Sequence, residues 1–309
     1  MTLRDASGLV AMCLIWGFNF VVAKFSVAGI PAWVPGFEGS PPIFFAFLRF
    51  LLLALVLAPF LKPMPKDWPR LLGVAACMGG LQYALIFIGL QTATPSGMAI
   101  ALQLGVPFAT ILSVIWLGER LGPLRLAGTV AAFIGVALVS ADPANLTVSV
   151  GLLIGVAASA VAATGMILVK KIDMKPFRLQ AWIGLLSAPL LLALSLLFER
   201  GQIEAVASGG VLFILSLVYT VGLVNVFGHG VFYHLIQRYE TNLIAPLTLL
   251  APLSGVGFGI LVAGDPLGWR LAIGGVIALA GVALVAARRR RWHARRPCDD
   301  HGPAIAELQ

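Results

Sequence analysis

Long apolar runs, each broken by a short polar stretch, organise this chain from near its start to residue 287. Ten runs stand out, at 7–27, 43–61, 70–90, 97–117, 123–141, 151–169, 178–198, 208–232, 242–263 and 268–287. A helix needs about 20 apolar residues to cross a hydrocarbon layer of about 30 Å, and these runs have that length. They do not alternate apolar with polar residues, and they are about twice as long as a barrel strand. Backbone N–H and C=O groups in lipid must be paired within the chain, so each run is predicted to be helical. The first run could be taken for a secretory signal, but its apolar character continues past Trp16 to Val27 without a cleavage site. It is predicted to remain as the first of ten transmembrane helices in an all-α membrane protein.

Composition agrees with the pattern. The chain is 60% hydrophobic and 11% charged, with a mean hydropathy of +0.98, whereas soluble domains carry about 25% charged residues. The net charge of +8 acquires meaning from where the basic residues fall. With the N-terminus in the cytoplasm, the inner side receives Arg4, Lys62, Lys66, Arg70, Arg120, Arg125, Lys170, Lys171, Lys175, Arg178, Arg238, Arg288, Arg289, Arg290, Arg291, Arg295 and Arg296. The outer side receives only Lys24, Arg200 and Arg270. This bias puts both termini in the cytoplasm. Basic charge spread over loops also argues against a nucleic-acid partner. Only 288–296 is dense, and it reads as an anchor for the last helix, with contact to anionic membrane lipid as a further role. Residues 297–309 are polar and are expected to be disordered. Cys13, Cys77 and Cys298 form neither a disulfide framework nor a metal spacing.

A shift of 146 residues lays 118–139 on 264–285 with eleven of twenty-two positions identical, glycines 118, 122, 128 and 135 among them. The same shift superposes Gln91 on Gln237 and Ala99 on Ala245. The chain therefore divides into a first five-helix repeat (1–141), a linker (142–150), a second repeat (151–287) and a basic tail (288–309). Five is odd, so the second copy enters the membrane from the opposite side and the repeats are inverted. Such repeats place a substrate site near the midplane between the halves; duplication of a scaffold is the other reading. Pro107 interrupts the fourth helix, and Pro252 lies within one position of its counterpart in the ninth, beside Pro246. Both are candidate hinges, though a static kink is equally allowed. Gly255, Gly257 and Gly259 permit close packing of the ninth helix.

Polar groups inside the runs are the candidate site. Trp16, Asn19 and Phe20 share a stripe of the first helix with Ala23; Gln103, Pro107 and Thr110 do so in the fourth; Asn225, His229 and Tyr233 step by four in the eighth. Gln82 and Tyr83 add to them from the third. Two readings stand side by side: a substrate cavity lined by neutral hydrogen-bonding and aromatic groups, or hydrogen bonds between helices. Arg49 is the charge inside a span, about 9 Å along its helix from Ile43. It suits recognition of a substrate carboxylate, or it snorkels outward or bonds helix-end carbonyls. Lys24 reads as a snorkelling residue. His229 and His234, five apart, face different directions and do not make a metal pair. No paired intramembrane carboxylates, HExxH, GxSxG or phosphate-binding glycine loop occurs, so neither an enzyme nor a cofactor is expected. Glu119, Glu199 and Asp265 lie at helix ends.

The segments WGFNFVVAK (16–24), PPIFFAFLRF (41–50), GERL (118–121) and RYETNLIAPLTLLAPLSG (238–255) resemble the EamA family of the drug/metabolite transporter superfamily. The likeness spans roughly 8–287, and the segment containing YET is most similar to exporters of O-acetylserine and cysteine. It implies efflux of amino acids or related metabolites across a bacterial inner membrane, through a cavity lined by helices 1, 3, 4, 6, 8 and 9. Trp16, Asn19 and Arg49 match the family pattern. The sixth helix departs from a symmetric site, with Ala162 and Gly165 where the first has Trp16 and Asn19. The long outer segment 29–42, rich in Pro and Gly, bears on substrate entry or on nothing. An exporter of small amino-acid-like solutes is the leading expectation, ahead of an exporter of hydrophobic drugs and a non-transporting membrane protein.

Overall fold

The computed structural model describes residues 1–29, 39–118, 122–142, 147–169, 172–239, 244 and 247–287. Within them, eight helices are long and apolar enough to cross a membrane. These are α1 (Leu3–Ala28), α3 (Trp68–Thr92), α4 (Pro95–Trp116), α5 (Pro123–Ser140), α6 (Val150–Val169), α7 (Pro176–Phe198), α8 (Gln202–Ile236) and α10 (Trp269–Ala287). Two shorter apolar helices, α2 (Pro42–Val56) and α9 (Leu250–Ala263), complete the order. Apart from a two-residue antiparallel ladder pairing Ala141 with Val148 and Asp142 with Thr147, the described regular structure is helical. Residues 30–38 of the segment 29–42, Glu119, Arg120, Lys170, Lys171, Pro246 and the tail 288–309 lie outside the described residues.

Local chemistry sets the ends. α1 starts at Leu3, ahead of the apolar run, because the Thr2 side chain accepts from the Asp5 N–H. α2 stops at Val56, short of the run that continues to 61, and a 3₁₀ turn at Ala58–Phe60 holding Pro59 follows. Gly118 and Gly264, equivalent under the 146-residue shift, both cap helices in the left-handed region, at φ 65° and 72°. A side chain there would be strained, which accounts for the glycines.

Breaks inside helices recur at the same shift, and hydropathy does not mark them. α3 runs as a π-helix over Ala75–Leu81 and α8 over Tyr219–Gly228; moved by 146 residues, the first falls inside the second. α4 tightens to a 3₁₀ turn at Leu102–Leu104, and turns at Thr248 and Leu249 precede α9 at the matching place. Pro107 lies three residues past the end of its 3₁₀ turn, as the third residue of the α-helical segment Gly105–Leu117 that follows. Pro252 likewise is the third residue of α9, in a first turn whose N–H groups have no intrahelical partner in any case.

The two repeats meet most closely where α5 crosses α10. A Cβ on Gly128 would stand 2.7 Å from the Gly281 carbonyl oxygen, and one on Gly135 would stand 2.5 Å from that of Gly274. The contacts run in opposite order along the two helices, so α5 and α10 are antiparallel there. Each glycine also meets the repeat partner of the other, as across a two-fold axis. Ala132, Val136, Ala278 and Val282 are buried in the same seam. In α9 the packing face belongs to Gly255, against Phe20 and Ala99, and to Gly259, against Ser96; Gly257 faces open space. Large apolar side chains such as Leu55, Ile115, Trp116, Ile134, Leu197 and Val276 are exposed on the outside, as a lipid-facing surface requires.

Candidate functional site

α2 turns Arg49 inward. It shares a buried face with Ile43, Phe45, Ala46, Phe50 and Leu53, and only 1% of it is exposed. That burial removes the snorkelling alternative. Its Nη2 donates to Asn225 Oδ1 of α8 at 2.8 Å, with the Tyr83 hydroxyl of α3 at 3.5 Å. The guanidinium carbon lies 4.5 Å from the centre of the Tyr83 ring, a cation–π arrangement. Arg49 Nε and Nη1 are buried, with no hydrogen-bond partner among the described residues.

The π-helical stretch of α8 builds the other wall. Its altered ladder accompanies a Val224 carbonyl that accepts from Trp16 Nε1 of α1 at 3.2 Å and lies 3.1 Å from His229 Nδ1. A carbonyl can only accept, so the His229 proton sits on Nδ1. Gly228 makes room for the indole, since a Cβ would collide with Trp16 Nε1. Trp16 then packs against His229 and Phe232, at centroid distances of 5.1 and 5.7 Å, and His229 lies 6.1 Å from Tyr233. Tyr219 Oη donates to the Ile15 carbonyl at 2.7 Å, a second tie from the same stretch to α1.

The residues picked out in sequence therefore divide. Trp16, Arg49, Tyr83, Asn225, His229 and Tyr233 form one connected group. Asn19 is near it on α1, with a buried Oδ1 that has no hydrogen-bond partner among the described residues. Phe20 turns toward Gly255 of α9. Thr110 is used within its own helix, donating to the Val106 carbonyl at 2.9 Å. Gln82 and Gln103 are half-buried, and no described hydrogen bond joins them to the Arg49 group. The group thus draws on α1, α2, α3 and α8. Three contributors were not anticipated: the Val224 carbonyl, Phe232, and Gln180 of α7, an 8%-exposed amide beside Tyr233. Gln180 could have been found, as an amide within an apolar run. A backbone carbonyl has no such signal.

Polar contacts tie the helices together at both ends of this group. At one end Asp5, 6% exposed, accepts from Thr2 Oγ1 at 2.7 Å and Tyr239 Oη at 2.6 Å. His234 Nε2 and Arg238 Nη1 stand 3.3 and 3.6 Å from its carboxylate. At the other end Glu199 accepts from the Ile43 and Phe44 N–H groups at 2.8 and 2.9 Å, capping α2. Asp265 accepts from the Ser96 N–H at 2.8 Å, at the start of α4. Carboxylates are favoured at such helix N-termini. Lys24 does the converse, donating to the carbonyls of Leu90 and Gln91 at the C-terminal end of α3, at 2.7 and 3.0 Å. It is a helix cap, where a snorkelling residue was expected.

The family model for EamA-like transporters matches residues 6–141 and 149–287, nearly the whole described chain. The chain belongs to the EamA-like transporter family. As a member it is a membrane transporter and not an enzyme. Among curated relatives of this EamA-like protein, two are named "Probable amino-acid metabolite efflux pump". That of Escherichia coli (strain K12) is 29% identical, with 92% of this chain and 95% of the relative covered. That of Salmonella typhimurium is 30% identical over the same shares. A solved crystal structure shares the fold at a TM-score of 0.59 and 18% identity, covering 92% of this chain and 96% of its own.

Proposed function

We propose that this EamA-like protein is a secondary transporter that exports small amino-acid-like metabolites across the bacterial inner membrane by alternating access. The observation that carries the proposal is the sealed Arg49 group, shared between the repeats and lying between two tied ends. Arg49 and Tyr83 belong to residues 1–141, while Asn225, His229 and Tyr233 belong to 151–287. A solute held there contacts both halves, so relative movement of the halves transfers it. In this reading α2 and α9 also cross the membrane, giving ten spans as two inverted five-helix repeats with 142–150 as linker. The antiparallel α5–α10 crossing and the matched π-helical stretches support the inversion. Ten spans with the basic bias set both termini, including the tail 288–309, in the cytoplasm. Pro107 and Pro252 flank the matched turns and serve as hinges. The names of the two relatives favour amino-acid metabolites and the outward direction.

Proteoliposomes loaded with a panel of amino acids and related metabolites test the proposal, with and without an imposed pH gradient. Release of a subset, lost in Arg49→Gln at equal protein level, is expected. A panel that stays inside the vesicles refutes it. The aromatic wall of Trp16, Phe232 and Tyr233 favours a second reading, export of hydrophobic drugs, in which drugs but not amino acids are released.

A further inference from the structure

A buried cation ordinarily stands beside a counter-charge, because removing one partner of a buried pair leaves a costly uncompensated ion. Arg49 departs from this rule. It is 1% exposed, and its described contacts are an amide oxygen, a phenol and an aromatic face, with no carboxylate among them. A guanidinium carries five N–H donors. Those on Nε and Nη1 meet no acceptor among the described residues. The group therefore has both a net positive charge and open donors, in a site closed to water.

We propose that the Arg49 guanidinium is the receptor for the carboxylate of the transported molecule, and that binding exchanges the Arg49–Asn225 hydrogen bond for a two-pronged Arg49–carboxylate pair. The inference rests on the transport reading above and names the chemical class it takes: small monocarboxylates, amino acids included. One guanidinium matches one negative charge. Lys24 is committed to the carbonyls that end α3, and His229 directs its Nδ1 proton to Val224, so the group offers no second cation for a phosphate dianion. Guanidinium and carboxylate also match in geometry, each presenting two parallel contacts.

Asn225 has the right strength for the exchange. Its amide oxygen satisfies one Arg49 donor while the site is empty, yet carries no full charge and yields to a carboxylate. An aspartate there would pair with Arg49 permanently. The bond also runs from α2 in one repeat to α8 in the other, so its replacement by substrate releases a tie between the halves. Trp16 and Tyr233 pack on His229, one turn beyond Asn225 on α8, and Phe232 packs on Trp16, so an aromatic surface lies one turn from the exchange along that helix.

The test uses the full-length protein in proteoliposomes, with counterflow of labelled L-cysteine or L-serine as readout. Unlabelled competitors come in matched sets: the amino acid, its methyl ester and its decarboxylated amine. Only the free carboxylates should compete, the esters and amines requiring at least tenfold higher concentration. Asn225→Asp should raise KM tenfold or more while melting no lower than the unmodified protein, and Arg49→Lys should raise KM comparably. Esters or amines competing as well as the acids overturn the inference while leaving transport standing. So does an unchanged KM in Asn225→Asp. If neither these labels nor any member of the panel above is moved, the transport reading fails and takes this inference with it. The competitor series needs no variant, so a misfolded mutant does not decide the outcome.

Discussion

The α5–α10 crossing should be the least forgiving surface in the molecule, and Gly135→Ala is its sharpest probe. The added Cβ would stand 2.5 Å from the Gly274 carbonyl oxygen and closer still to the Ala278 amide nitrogen. Both neighbours are backbone, which no rotamer change can move aside. Ordinary contact requires α10 to retreat by about 1 Å, and a gap of that size forfeits roughly a quarter to a half of each dispersion contact along the seam. Overpacking of this kind costs about 1–3 kcal/mol, offset by up to about 1 kcal/mol from the better helix propensity of alanine. With about 2.1 cal/mol/K of unfolding entropy per residue, a net loss of about 1–2 kcal/mol corresponds to roughly 2–3 °C for a chain of this length. Thermal unfolding in detergent measures it. Gly281→Ala, the repeat counterpart, should lose as much, because its Cβ would lie 2.5 Å from the Ala132 amide nitrogen. Gly257→Ala, with nothing within 4 Å of its Cβ, is the control and should not lose stability. Gly135→Ala and Gly274→Ala share one contact, so the double variant should lose less than the two singles added together. Equal melting of Gly135→Ala and Gly257→Ala would refute the close-packing argument.

Other outcomes follow from the ends and the aromatic wall. Asp265→Ala leaves the buried Ser96 N–H without its charged acceptor and should cost about 1.5–3 kcal/mol in the same unfolding assay; Glu204→Ala, exposed in the first turn of α8, should cost less, at most about 1 kcal/mol. Asp5→Ala should speed maleimide labelling of the buried Cys13, one of the residues packed at that end, in a background lacking Cys77 and Cys298. An unchanged labelling rate would show that the Asp5 contacts do not hold that end shut. Trp16→Phe keeps an aromatic ring but loses the bond to Val224, and should change stability by only about 0.6 kcal/mol. Its effect should appear in efflux KM, and a variant with unaltered KM argues against Trp16 as part of the site.

The helices were legible because lipid leaves a chain few options: long apolar runs and basic loops read directly as spans and connections. The repeat was legible too, since glycines at 118, 128 and 135 recur at one offset, and the structure uses their counterparts as caps and close contacts. The site was less so. Arg49 and Asn225 were each conspicuous as polar residues in apolar runs, but their bond joins positions 176 residues apart and nothing local encodes it. The π-helical stretches were invisible, because residues in a π turn are as apolar as those in an α turn. Thr110 was misleading for a related reason: a hydroxyl can be satisfied by its own helix, and here it is.

The π-helical stretch Tyr219–Gly228 makes the number of residues in α8 a property of the site. Each residue of an α-helix turns the chain by about 100°. Deleting a single residue there would let the stretch rewind as regular helix and swing everything beyond it by about that angle. His229, Phe232 and Tyr233 would leave Trp16, although every one of them would still be present. Substitutions on the lipid side should therefore be tolerated where a one-residue deletion is not, and the spacing from Tyr219 to His229 is as much a functional element as the side chains it delivers.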